Sequence, residues 1–182
     1  EKQLTAAPSA PTDGQVAALQ ARIADLEKQL AATGATGGGG APQPAVEDVS
    51  ATLPKHPTAR YQTRPVAQIK SVVLHHSAVP ASVGAARITQ YQVEKQGWPG
   101  AGFHYFITGD GHIQQTQPLE VIAYHAGDAN NPTSLGICLA GNFTDQPPTA
   151  AQVSATAQLI AWLLVKFNLP IEAIHSHKEY VV

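Results

Sequence analysis

The chain has 182 residues and a formal net charge of −2 at neutral pH, from 11 basic and 13 acidic side chains. So sparse and balanced a charge excludes the basic stripe of an ordinary nucleic-acid binder, and a single cysteine, Cys138, excludes an intrachain disulfide framework. Both tryptophans, all four phenylalanines and seven of the eight histidines follow Arg64, so the globular part belongs to the later two thirds of the chain.

Residues 1–33 carry a short coiled-coil-like helix. Val16, Leu19, Ile23, Leu26 and Leu30 recur at alternating spacings of three and four, with charged Arg22, Asp25, Glu27 and Lys28 around them. Thr12 or Asp13 offers a cap, and Gly34 ends the run. So short a stripe is marginal for a lone helix in water. Residues 13–33 therefore read as either a homo-oligomeric coiled coil or a helix packed on a surface.

Residues 34–67 read as a flexible linker. Gly37 to Gly40 is followed by Pro42, Pro44, Pro54, Pro57 and Pro65, a composition that makes few ordering contacts of its own. Tyr61 and Val66 are its candidates for docking on the domain.

The domain expected over residues 68–182 is α/β, a mixed central β-sheet flanked by helices. Ile69 to His75 is a near-continuous apolar run, suited to a strand covered on both faces. A helix follows from a Ser82 cap to about Gln96, with Ala86, Tyr91 and Val93 as inward candidates, stopped by Gly97 and Pro99. Phe103 to Thr108 and His112 to Gln117 make two strands joined by the turn Gly109-Asp110-Gly111. Leu135 to Ala140 is another core strand. Thr149 to Lys166 is a long helix with Val153, Leu159, Ile160, Leu163 and Leu164 inward, and Ile171 to His175 is a last short strand. The most apolar stretch, Leu159 to Phe167, is too short to span a bilayer. No signal peptide is visible, but the sequence opens on Glu1 rather than Met, which leaves room for a removed targeting segment.

The histidines carry the chemistry. His75 ends the first core strand, His177 follows the last one, and His104 and His125 lie in Phe103-His104-Tyr105 and Tyr124-His125-Ala126-Gly127. Imidazoles at strand ends can meet above a sheet, and zinc takes nitrogen ligands in tetrahedral geometry. No local zinc motif such as His-Glu-x-x-His is present, and the same residues also read as satisfied structural histidines.

Four ordered blocks, Val72-Val73-Leu74-His75-His76-Ser77-Ala78, Gly102-Phe103-His104-Tyr105-Phe106-Ile107-Thr108-Gly109-Asp110-Gly111, Ser134-Leu135-Gly136-Ile137-Cys138-Leu139-Ala140-Gly141 and Ser176-His177-Lys178-Glu179, set the chain beside a known family. It resembles the N-acetylmuramoyl-L-alanine amidase superfamily, which includes phage lysozyme-type amidases and peptidoglycan recognition proteins.

That resemblance implies zinc-dependent hydrolysis of the amide between N-acetylmuramic acid and L-alanine, with peptidoglycan or muropeptide as substrate, outside the cell or in its envelope. The rival reading is a non-catalytic peptidoglycan-binding module of the same fold. The resemblance makes His75 and His177 zinc ligands, places His76 outside the metal, and lines the substrate groove with Phe103, His104 and His125. His125 takes the catalytic role of oxyanion donor. Three departures accompany it. Phe103 stands where many relatives have a tyrosine, and Cys138 where some bacterial branches have a carboxylate base. The third ligand, a Cys or Asp soon after the second histidine, is expected beyond Val182 in a longer natural chain.

Overall fold

A computed structural model describes residues 41–144 and 146–180. The expected heptad helix over 1–33, and linker residues 34–40, lie outside the described residues. The elements are β1 (Glu47–Asp48), β2 (Ser71–His76), α1 (Ala85–Gln96), β3 (Tyr105–Ile107), β4 (Ile113–Gln115), β5 (Ser134–Leu139), α2 (Ala150–Phe167) and β6 (Ile174–Ser176). The strands form one sheet in the order β1-β4-β3-β5-β2-β6, in which only β3 and β4 pair antiparallel. This is the mixed sheet with flanking helices that the apolar patterning implied.

Strands β2 and β5 are buried along their whole length, so their side chains serve two cores. Because successive residues face opposite sides, Val72, Leu74, Leu135, Ile137, Tyr105 and Ile107 join the core under α2. The intervening Phe106, Cys138 and Ala140 join a second cluster with Phe103 and Ala85 at the start of α1. His75 therefore shares a side of the sheet with Cys138, its register partner on β5.

Helix α2 starts at a capping box between Thr149 and Gln152 and buries Leu159, Ile160, Leu163 and Leu164. It is long and apolar enough to cross a bilayer by length and composition, but this face is the core of the domain.

Helix α1 differs from expectation at its start and in its phase. It begins after Gly84, with no side-chain cap, and ends on left-handed Gly97 at φ 68°. Its buried residues are Ala85, Thr89 and Gln92, while Ala86 is exposed and Tyr91 and Val93 are half-buried. The reason is polar: Gln92 turns inward because its side-chain oxygen accepts from the Gly102 amide at 3.0 Å. Tyr91 is left on the wall of a groove.

The expected strand Ile171–His175 is shifted as well. Ile171–Ala173 forms a 3-10 turn, and β6 delivers His177 just past its last residue.

The boundary drawn at Gln68 falls inside the folded body. Glu47–Asp48 pairs with β4, Leu53 is buried, Thr63 bridges Val121, and Tyr61 donates to the Gly100 carbonyl at 3.0 Å. Pro-rich composition hid this, because such a segment finds its partners on the domain rather than within itself.

Candidate functional site

A groove of about 350 Å³ runs along α1 toward the ends of β2, β5 and β6. Val79, Val83, Ile88, Tyr91 and Trp98 make an apolar wall, and Phe103, Tyr124, His125 and His177 close its end. Parallel strands β2 and β6 bring His75 and His177 together across a hundred residues, with ring centroids 4.7 Å apart. His75 is fully buried behind these residues, 5.1 Å from the Phe103 ring and 5.2 Å from the His125 ring.

His125 is positioned by its surroundings rather than by a strand. Its amide and that of Ala126 both donate to Asn131 Oδ1, at 3.0 and 2.7 Å. Its ring lies on Gly136 of β5, where a Cβ would stand 2.7 Å from the imidazole. Glycine is required there by close approach.

A chain of hydrogen bonds sets the imidazole tautomers. Ser134 Oγ donates to the Asn130 carbonyl at 2.8 Å, so it accepts from His125 Nε2 at 3.4 Å. His125 Nδ1 then carries the lone pair and accepts from His75 Nε2 at 3.1 Å. The last link leaves His75 Nδ1 as a buried lone pair with no partner, and His177 Nδ1 is likewise buried and unpartnered. Two orphaned imidazole nitrogens in touching rings are a costly arrangement in a core. They are also what a metal with nitrogen preference needs.

Burial first, then the neighbouring histidines, holds His75 and His125 well below the usual histidine range. Burial lowers His177 too, opposed by a main-chain hydrogen bond to His125. The cluster is therefore neutral at neutral pH, the form that ligates metals.

The other histidines fall elsewhere. His104 lies beneath His125, centroids 5.7 Å apart, and is fully buried. Its Nδ1 accepts from the Gly136 amide at 3.0 Å and its Nε2 donates to the Val121 carbonyl at 2.9 Å. Both nitrogens are thus spent inside the protein, and His104 is not among the groove-lining residues. His76 faces Phe143, accepting from its amide at 2.8 Å. Cys138 is buried, and burial pushes its thiol far up. Among the described residues, no group of three or more His, Cys, Asp and Glu is gathered for a metal, so Cys138 does not complete one.

The family model for N-acetylmuramoyl-L-alanine amidase matches residues 63–181. The chain belongs to this amidase family. It is 31% identical to an endolysin of Enterobacteria phage T3 over 64% of this chain and 81% of that one. It is also 31% identical to peptidoglycan-recognition protein SC2 of Drosophila simulans, over 57% of this chain and 60% of the relative. Among solved structures, the Ph2119 endolysin from a Thermus scotoductus bacteriophage superposes with a TM-score of 0.62 at 25% identity, covering 75% of this chain and 88% of that one.

Within this amidase-family chain, sequence reasoning passed over Asn131, Gly136, Tyr124 and Trp98. Gly136 did carry a signal, since an isolated glycine inside a buried strand marks close approach by a neighbour. Asn131 carried little, because Asn-Asn-Pro reads as an ordinary turn.

Proposed function

We propose that the chain is a zinc-dependent N-acetylmuramoyl-L-alanine amidase acting on peptidoglycan outside the cell or in its envelope. The observation that carries this reading is the pair of orphaned nitrogens, His75 Nδ1 and His177 Nδ1, the second lining the end of the groove and the first buried beneath it. These two residues would hold the ion. Zinc bound there supplies Lewis acidity, which polarises the amide carbonyl and acidifies a water molecule.

The chain's own residues do the rest. The wall from Val79 to Trp98 takes the substrate and excludes water from its apolar side. Phe103 packs against His75 and offers no proton. His125, by accepting at Nδ1, fixes the ring of His75 and leaves its other nitrogen unpartnered. His125 itself lines the groove end, so the ring that orients His75 also faces the substrate. In this reading His125 orients the metal ligand His75 and is not an oxyanion donor, since its Nε2–H is spent on Ser134 and its Nδ1 on His75.

One observation favours a second reading, a muropeptide-binding module without cleavage. Among the described residues, only two imidazoles offer buried nitrogens without a partner, and Phe103 contributes no hydroxyl.

Metal analysis separates the roles of the histidines. His75→Ala should lose zinc after dialysis while staying folded, because the groove end keeps its Gly136 and Asn131 supports. Full zinc occupancy in the folded H75A protein would remove His75 from the metal.

A further inference from the structure

We infer that Arg64 is a positioning residue for His125, acting through Asn131; the inference rests on the reading of His125 as the imidazole that orients His75. Arg64 lies before the family's first histidine block, in the stretch whose composition reads as linker, yet it is only 3% exposed. Its Nη1 donates to the Asn131 carbonyl at 2.6 Å, and Nη2 lies 3.4 Å from the Leu119 carbonyl. Its Nε is buried without a partner. Burial with no offsetting carboxylate among the described residues pulls the guanidinium down to about 10.

A charge buried on these terms is expensive, and a leucine of similar volume would fill the same space more cheaply. What the guanidinium adds is geometry. Its fork ties Leu119 to Asn131, the two ends of the loop that carries His125. The backbone reinforces the tie, with the Arg64 amide donating to the Glu120 carbonyl at 2.7 Å and Ile122 donating back to Gln62 at 2.8 Å. Asn131, held by its own carbonyl, turns its side-chain oxygen to the amides of His125 and Ala126. Arg64 Nη2 also rests 3.3 Å from His104 Nε2, whose proton goes to Val121, so this contact packs the ring and does not bond it. The two backbone hydrogen bonds that Asn131 makes to the His125 turn thus trace back to one side chain.

The test uses the full chain with ring-15N histidine, comparing wild type, Arg64→Lys and Arg64→Met. Lysine keeps the charge but reaches one carbonyl, not two. At a temperature where each protein is folded, the His125 ring cross-peaks should move in R64K, while those of His112, on the distant hairpin, stay in place. On a soluble muropeptide, kcat should fall on the order of 10-fold in R64K, with KM changed by less than about twofold, because a small misplacement of the groups that orient His75 acts on the chemical step. If R64M folds, its losses should be larger. Unmoved His125 cross-peaks in R64K, or a raised KM at unchanged kcat, would overturn the inference. A wild type that cleaves nothing would defeat the proposed activity, while the cross-peaks would still decide the role of Arg64.

Discussion

Burial, more than any neighbouring charge, keeps the imidazoles of His75, His104, His125 and His177 neutral. For His104 the shift has a size, from 6.5 to about 3. In the unfolded chain this histidine takes up a proton near 6.5, and in the folded chain it refuses one until about 3. Its contribution to stability is therefore intact above 6.5 and is lost as pH falls through that window. His104→Asn keeps an acceptor for the Gly136 amide and removes the titration. Its unfolding free energy should decline less steeply on acidification, by up to about 1.4 kcal/mol per pH unit. Chemical denaturation across the window reads this, and parallel declines would show that His104 is not protonated on unfolding there. At this scale the sequence was uneven as a guide. His75 was legible because it ends an apolar strand, and His177 because it follows one. Arg64 was not, since a lone arginine before Pro65 has no periodicity and its partners are main-chain carbonyls more than fifty residues away.

Strand β5 shows how an element prepares a site. Leu135, Ile137 and Leu139 fill the core beneath α2, while Gly136 and Cys138, and Ala140 just past the strand, alternate with them on the other side. Small residues on that side leave room for imidazoles to lie on the sheet. Gly136→Ala places a methyl 2.7 Å from the His125 ring, so either the ring or the strand must shift. The expected cost is about 1–3 kcal/mol of stability, together with a loss of activity larger than that of Ala140→Gly just past the end of the strand. Thermal unfolding and muropeptide turnover measure both, and a G136A protein of full stability and activity would show that His125 is not seated on β5. The strands and α2 were legible because burial on both faces leaves continuous apolar runs and a capped helix leaves a 3.6-residue period. The inward face of helix α1 was not, because one face lines a groove and the other is anchored by a buried glutamine. Apolar periodicity has nothing to report there.

For the whole molecule, the structured body reaches back past Gln68 to β1, so the segment from 41 onward belongs with the sheet. That changes how the heptad stripe from Val16 to Leu30 is tested. A shortened protein for comparison must start near Ala41, because one starting at Ala59 would lose β1 and buried Leu53 as well. If the stripe self-associates, sedimentation at several concentrations should show a concentration-dependent mass for the full chain and a monomer for the shortened one. Equal monomer masses would return the stripe to a lone helix. The order of strands was not legible from sequence, since β1, β4 and β6 are two or three residues long and their pairing is decided by distant partners.

Mass spectrometry of a purified muropeptide after incubation with the protein bears most directly on the proposed chemistry. With zinc present, the products should be a muramic acid sugar with a free lactyl carboxylate and a peptide with a free L-alanine amine, each formed by addition of water across one amide. A chelator should stop the reaction and added zinc restore it, and the H75A protein should give neither product. A muropeptide that is bound but returned intact, with zinc supplied, would contradict the amidase assignment and leave the groove as a binding site.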